Sequence, residues 1–408
     1  MRRQIFGLSI LFGTMSFIQG IGEPTTGLIT QPIHALLKEW GCNPHEIATF
    51  VALLGFPWCL KPLCGLLSDF VPLAGYRRKS YLIVAALAAS VCFLALYLLP
   101  LSAGARNLLF VALLLPALAI TVSDVVLDAL MVEAGQSLSI TGHLQSICCG
   151  AGYVATLLTG VWGGRLTEDH QQQLGFLLCG VLTAATLLIS ILYVREPRGT
   201  APREGLRPGS RALWEAVRSP KLLAVGGFMF AWHFNPFSQS VLYLHMTEAL
   251  AFSEQSYGQT VSVIAVGSIA ACVLYGLCCR RIPMRWLVPG SIVCGIISTL
   301  AYWPLVAGTS ATSVSLLAGF SYMLANMILL DLAARACPLQ AAGTVFALLM
   351  AACNIAAGCS TWLGGYCYEL ATSHWGAGIG FYALLIVSAG FTACSWLAAR
   401  RLPRELLA

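Results

Sequence analysis

Residues 65–81 read GLLSDFVPLAGYRRKSY, a short polar loop carrying Asp69, Arg77, Arg78 and Lys79. Apolar runs over 46–67 and 79–100 flank it, and each has about the twenty residues a helix needs to cross a hydrocarbon layer. Working outward, further runs cover 5–31, 107–132, 141–164 and 173–194, then 221–247, 257–279, 285–306, 311–333, 341–368 and 376–399. That makes twelve in two sets of six. Strands of an outer-membrane barrel would alternate apolar and polar residues, which these unbroken runs do not. Composition agrees: 58% of the 408 residues are hydrophobic, mean hydropathy is +0.79, and 10% are charged, against about 25% in a soluble domain. The expected class is an all-α membrane protein with twelve transmembrane helices in two pseudo-symmetric six-helix bundles.

The stretch from Arg195 to Lys221 holds seven basic residues among Pro, Gly and Glu, so it cannot insert. It divides the chain into an N-terminal bundle (1–194), a cytoplasmic linker (195–220) and a C-terminal bundle (221–408), with a short surface helix expected over Ser210 to Val217 and Trp214 at the interface. Arg2, Arg3, Arg77, Arg78, Lys79, the linker residues, Arg280, Arg281, Arg285, Arg400, Arg401 and Arg404 all fall on one side of a twelve-span topology. Lys38, Arg106 and Arg165 fall on the other. Basic loops stay inside, which puts both termini in the cytoplasm. The start, Met1-Arg2-Arg3 and a long apolar run without a small-residue cleavage site, is expected to be a retained first span.

The formal charge of +6 does not point to nucleic acid, because the basic residues sit in short loops without interleaved aromatics. Sixteen cysteines are scattered through apolar segments, as at Cys59, Cys92, Cys179, Cys294 and Cys353. The pairs Cys148/Cys149 and Cys278/Cys279 are read as small hydrophobes, so neither a metal nor a disulfide framework is expected. Gly20 and Gly22 lie inside a span rather than after a strand and cannot cradle a pyrophosphate. No enzyme activity and no cofactor are expected.

The halves look like copies. Gly65-Leu66 before Arg77, Arg78 and Lys79 is matched by Gly276-Leu277 before Arg280, Arg281 and Arg285. Trp162-Gly163-Gly164 is echoed by Trp362-Leu363-Gly364-Gly365, Leu127-Asp128-Ala129 by Leu330-Asp331-Leu332, and Glu23-Pro24 by Asn235-Pro236. Duplicated bundles that rock about a central site are the architecture of alternating access.

Ionisable residues at membrane depth each cost about 2.5–3.5 kcal/mol on insertion scales and mark function by default. They are Glu23 in span 1, Lys61 near the inner end of span 2, Asp124 and Asp128 in span 4, His233 with the polar Asn235 in span 7, and Asp331 and Arg335 in span 10. Apart from Lys61, all lie in the first or fourth span of a half, the equivalent positions around one shared cavity. Asp124 and Asp128 share a helix face and suit proton carriage. Asp128 is equally readable as a structural partner of Arg77, Arg78 or Lys79 in a cytoplasmic gate, and Glu133 as a solvated helix-end residue. Asp331 and Arg335, also four apart, either neutralise each other or open to let Arg335 meet an anion. The breaks at Glu23-Pro24 and Asn235-Pro236 free backbone carbonyls to line a pocket. Trp58, Trp232, Phe234, Phe237 and Tyr243 are candidates to stack on a flat ring.

Pro57-Trp58 with Lys61-Pro62-Leu63, the loop 65–81, Ser123-Asp124-Val125-Val126-Leu127-Asp128, and Gly343-Thr344-Val345-Phe346-Ala347-Leu348-Leu349 with Asn354 together resemble the folate-biopterin transporter family of the major facilitator superfamily. Five residues separate Asp69 from Gly75, the longer form of the superfamily's loop motif. The resemblance implies a major facilitator fold and proton-linked uptake of folates or other pterins. The span-4 aspartates and Lys61 would lie near the substrate path. Independently of the resemblance, Asp69, Arg77, Arg78 and Lys79 are expected to form the cytoplasmic gate. The expected partners are an anionic folate- or pterin-like small molecule, protons and the lipid bilayer. A monomer in the inner membrane is expected, with an exporter of drugs or lipids, or a non-transporting sensor, as the alternatives.

Overall fold

The computed structural model describes the chain except residues 1, 43, 100–102, 169–170, 197–213, 215–217, 253, 306–307 and 408. The expected surface helix at 210–217 therefore lies, apart from Trp214, outside the described residues. Among the described residues the protein is helical throughout, and its only β pairing is the bridge between Leu73 and Tyr76 in the loop after span 2.

In chain order the helices are α1 (Arg2–Gly22), α2 (Thr30–Glu39), α3 (Pro44–Leu54), α4 (Lys61–Phe70), α5 (Lys79–Leu98), α6 (Arg106–Leu138), α7 (Thr141–Glu168) and α8 (Gln172–Leu192). There follow α9 (Pro220–His233), α10 (Gln239–Leu244), α11 (Glu254–Cys278), α12 (Met284–Leu300), α13 (Gly308–Ala336), α14 (Ala342–Trp375), α15 (Ala377–Ala399) and the short α16 (Arg404–Leu407). Ten of the described spans are long and apolar enough to cross a bilayer, and α12 is a shorter apolar helix. With the broken span that begins at α9, this is the twelve-span pattern of the sequence.

Three spans are interrupted, each where the sequence carries breakers. Span 1 leaves the helix after Gly22, where Pro24 supplies no amide donor. Span 2 passes from α3 through a 3₁₀ turn (Phe56–Leu60) into α4, with Pro62 in the first turn, where its missing N–H costs nothing. Span 7 stops at His233 and resumes as α10, whose start is capped by Ser238 Oγ accepting from Val241 N at 3.4 Å. A π-helical turn follows at His245–Ala249.

The chain divides into two compact units. One holds 1–134, 151–213 and 338–347; the other holds 135–150, 214–337 and 348–408. The long helices α6, α7 and α14 thus contribute to both. In the first unit α5 packs along α8, and α1 against α8, around Phe93, Leu113 and Phe176. In the second, α11 packs on α13 and α12 on both α13 and α15, while Tyr302, Phe381 and Leu385 lie in a cluster near the broken span.

The Trp-Gly echoes have a physical meaning within each unit. A side chain at Gly163 would lie 3.0 Å from the Leu28 carbonyl oxygen, just after the span 1 break; one at Gly364 would run into the Pro236 carbonyl oxygen, at the span 7 break. Each glycine lets a helix backbone lie directly on the unwound segment of its own unit.

Candidate functional site

The break in span 2 places Lys61 at the first residue of α4, in the middle of the Thr49–Phe70 span rather than near its inner end as expected. A helix N-terminus disfavours a cation, and a buried ammonium needs a partner. Asp124 of α6 supplies it: Lys61 Nζ lies 2.7 Å from Asp124 Oδ2, with side chains 14% and 25% exposed. The same ammonium sits 4.2 Å from the centroid of the Trp58 ring, a cation–π contact. Asp128, one turn along α6, lies within electrostatic range of both Asp124 and Lys61.

Glu23 joins this group. It is 4% exposed, and its Oε1 accepts from Thr25 N at 3.3 Å and Thr25 Oγ1 at 2.8 Å. Trp58 and Asp124 are within interaction range of its carboxyl, yet Oε2 has no hydrogen bond of normal geometry. The first unit therefore gathers one cation, Lys61, with three acids, Glu23, Asp124 and Asp128, around an indole.

A second cluster of the first unit forms at the 65–81 loop. Asp69 is fully buried and accepts from the backbone N–H of Thr344 at 2.7 Å and the Thr344 hydroxyl at 2.5 Å, in the first turn of α14, where free amides and the helix dipole favour an anion. Arg78 donates to Asp69, to Glu133 at 2.9 Å and to Ser68 Oγ at 2.8 Å. Arg77 lies 3.6 Å from Asp69 and donates to the Gln340 carbonyl at 3.2 Å. Burial opposes the charge on Arg78, but Asp69 and Glu133 outweigh it and lift its pKa above the usual guanidinium value. Glu196, just past α8, accepts from the backbone N–H groups of Arg77, Arg78 and Lys79 at 2.8–3.0 Å and so caps α5. Gly65 makes the approach possible, since a Cβ there would meet Thr344 Cα at 2.8 Å.

In the second unit the carboxylate of Asp331 is completely enclosed and fully used. It accepts from Arg335 through two donors at 3.1 and 2.9 Å, from the Tyr275 hydroxyl at 2.9 Å and from the Thr141 hydroxyl at the start of α7. Of the two readings of this pair, the geometry shows the neutralised one. Asn235 is also spent internally: its amide donates to Thr299 Oγ1 at 2.9 Å and Thr392 Oγ1 at 3.3 Å, and its carbonyl accepts from Phe237 N at 2.9 Å. His233 Nδ1 lies 2.9 Å from the Met229 carbonyl oxygen, which can only accept, so this nitrogen is the donor.

Several expectations change. Arg77 and Arg78 engage Asp69 and Glu133, not Asp128. Glu133 is an ion-pair partner rather than a solvated end residue. Lys79 turns to the Ile191 carbonyl at the end of α8, 2.7 Å away. Glu196, Tyr275 and Thr141 escaped sequence reasoning, because hydroxyls carry no charge signal and Glu196 lies far along the chain from the helix it caps; Thr344 was quoted only as part of a motif, with no partner assigned to it.

The all-helical fold is that of solved major facilitator transporters. The proton:xylose symporter XylE superimposes with a TM-score of 0.68 at 13% identity, covering 96% of this chain and 95% of that one. The human organic anion transporter MFSD10 superimposes with a TM-score of 0.67 at 13% identity, covering 97% and 98%. The BT1 family model matches residues 19–389, and a folate-biopterin transporter of Synechocystis is 31% identical over 360 residues, 83% of this chain and 70% of that protein. Folate transporter 1 of Plasmodium falciparum is 22% identical over 81% of this chain and 67% of its own. The chain belongs to the BT1 family of folate-biopterin transporters.

Proposed function

We propose that this membrane transporter carries out proton-coupled uptake of folate- or pterin-like anions by alternating access. The observation that supports this best is the Lys61–Asp124 pair at mid-span. An anionic substrate group competes with Asp124 for the ammonium, and the displaced carboxylate, beside Asp128 and Glu23, then takes up a proton rather than stay buried and unpaired. Binding of anion and proton are thereby linked through one cation. Trp58 offers a face to a flat ring. The names of the relatives supply the cargo class.

On this reading Asp69, Arg77, Arg78 and Glu133, gathered on the first turn of α14, form the cytoplasmic gate, with Lys79 anchoring α5 to α8. The Asp331–Arg335 cluster is its counterpart in the second unit. His233 and Asn235 shape the break of span 7 beside the substrate path. The bundles are 1–194 and 221–408, joined by the 195–220 linker. The protein acts as a monomer in the inner membrane with both termini in the cytoplasm, the side that its basic loops favour.

Uptake of labelled folate into proteoliposomes tests the proposal. Accumulation should appear with an inward proton gradient and collapse without it. Uptake indifferent to the gradient removes the coupling, and no uptake of folate or pterin removes the cargo.

A further inference from the structure

The loop between α11 and α12 carries Arg280, Arg281 and Arg285; the end of α15 and the start of α16 carry Arg400, Arg401 and Arg404. Both segments belong to the second unit. Because α12 packs along α15 and also touches α16, they lie at the same end of it. All six side chains are exposed, and among the described residues none has a side-chain hydrogen bond or ion pair. The two segments contain a single acid, Glu405. The apolar residues beside them are turned outward as well: Leu277 and Trp286 are 68% exposed and Leu397 67%.

Exposed Trp and Leu next to arginine define the depth at which a helix leaves hydrocarbon for headgroups. The first unit shows that open arginines are not a general property of such loops here. There Arg77 and Arg78 are held by Asp69 and Glu133, and Lys79 by a helix-end carbonyl. In the second unit no side chain among the described residues plays that role for these six arginines.

We propose that the arginine surface formed by 280–285 and 400–404 binds the phosphates of anionic phospholipid headgroups. Guanidinium forks pair with phosphate through two parallel hydrogen bonds, and the outward Trp286 and Leu277 lie against the upper acyl chains of the same lipids. A zwitterionic headgroup brings its own cation to the phosphate and gains less. Retention of the anionic lipid therefore depends on charge and weakens as salt rises.

The purified full-length chain is equilibrated with equal amounts of phosphatidylglycerol and phosphatidylcholine of identical acyl composition, and the lipids retained are counted by native mass spectrometry. Phosphatidylglycerol should be retained in excess. Arg281→Gln and Arg404→Gln, one in each segment, should each weaken that retention about fivefold, and the triple variant Arg280→Gln, Arg281→Gln, Arg285→Gln should weaken it further than either. Arg165→Gln, from the first unit, should leave it unchanged. The proposal is overturned if the wild-type protein holds both lipids equally, if the single variants keep the full preference, or if Arg165→Gln lowers it as much. No transport is measured, so failure here is independent of the proposed cargo.

Discussion

The loop after span 2 and the loop after span 8 occupy matching places in the two repeats, and they solve the same problem with different chemistry. In each, a glycine brings the preceding helix against the first turns of another. Gly65 lies on Thr344, and a Cβ at Gly276 would run into Ser146 Oγ. In the first unit the residue four places on is Asp69, which takes the free amide of α14. In the second the matching place is Arg280, and the carboxylate comes instead from α13 as Asp331, bonded by Tyr275 and Thr141 and balanced by its own Arg335. The backbone approach belongs to the repeat, whereas the charge that stabilises it does not. One loop consumes its basic residues internally and the other leaves them on the surface.

The contrast extends to mid-span, and the largest expected effect tests it there. Lys61→Met leaves Asp124 in a largely enclosed site without its cation, a loss of about 3 kcal/mol or more, so uptake should fall more than about a hundredfold. Asn235→Ala, at the span 7 break of the second unit, removes three internal hydrogen bonds of about 0.5–1.5 kcal/mol each. It should lower the melting temperature yet keep uptake within a few-fold of wild type. Equal loss in both variants, measured in the same proteoliposomes, would erase the distinction between a chemical first unit and a structural second one.

Next in size are the two buried carboxylates near the loops. Asp69→Asn strips the counter-charge from Arg78 and weakens the anion at the α14 start, and uptake should drop by about tenfold or more with a clear loss of thermal stability. Asp331→Asn also strands a cation, but Arg335 is 33% exposed and can turn to water. Its cost should be smaller, and the double variant with Arg335→Gln should recover part of it. A double-mutant cycle on melting temperature reads this coupling directly. Additive effects would mean that the bidentate pair contributes nothing as a pair.

These outcomes bear on what the amino-acid sequence disclosed. The spans were legible because twenty-residue apolar runs have one physical solution in a bilayer, and the breaks of spans 1 and 7 because Pro24 and Pro236 each remove a backbone donor; the break in span 2 was not, since Pro62 sits in the first turn of α4, where proline is tolerated. Asp124 and Asp331 stood out because a carboxylate in hydrocarbon needs a reason. Pairing was not legible. Nothing in linear order says that Lys61 reaches Asp124 across more than sixty residues, or that Arg78 prefers Asp69 and Glu133 to Asp128. The partners of Asn235 were equally hidden, since the threonines that occupy its amide appear only once helices are packed.

The smallest expected effect returns to the opening contrast. The start of α5 is capped by a distant side chain, Glu196, which receives three consecutive backbone N–H groups. The matching helix of the second unit, α12, begins after Pro283, whose side chain provides no cap, and among the described residues no other side chain accepts from its first amides. Proline there removes one donor and fixes an extended entry, so fewer free amides remain to be satisfied. Capping is thus demanded in the first unit by the RRK sequence, which presents donors at each position, and avoided in the second by composition. Glu196→Ala should cost about 1–2 kcal/mol of stability, while Glu196→Gln, which keeps an acceptor and loses the charge, should cost less. Thermal unfolding of the two variants in one detergent separates the hydrogen bonds from the charge. If Glu196→Ala unfolds with the wild-type protein, water replaces the cap and the two loops differ less than their geometry indicates.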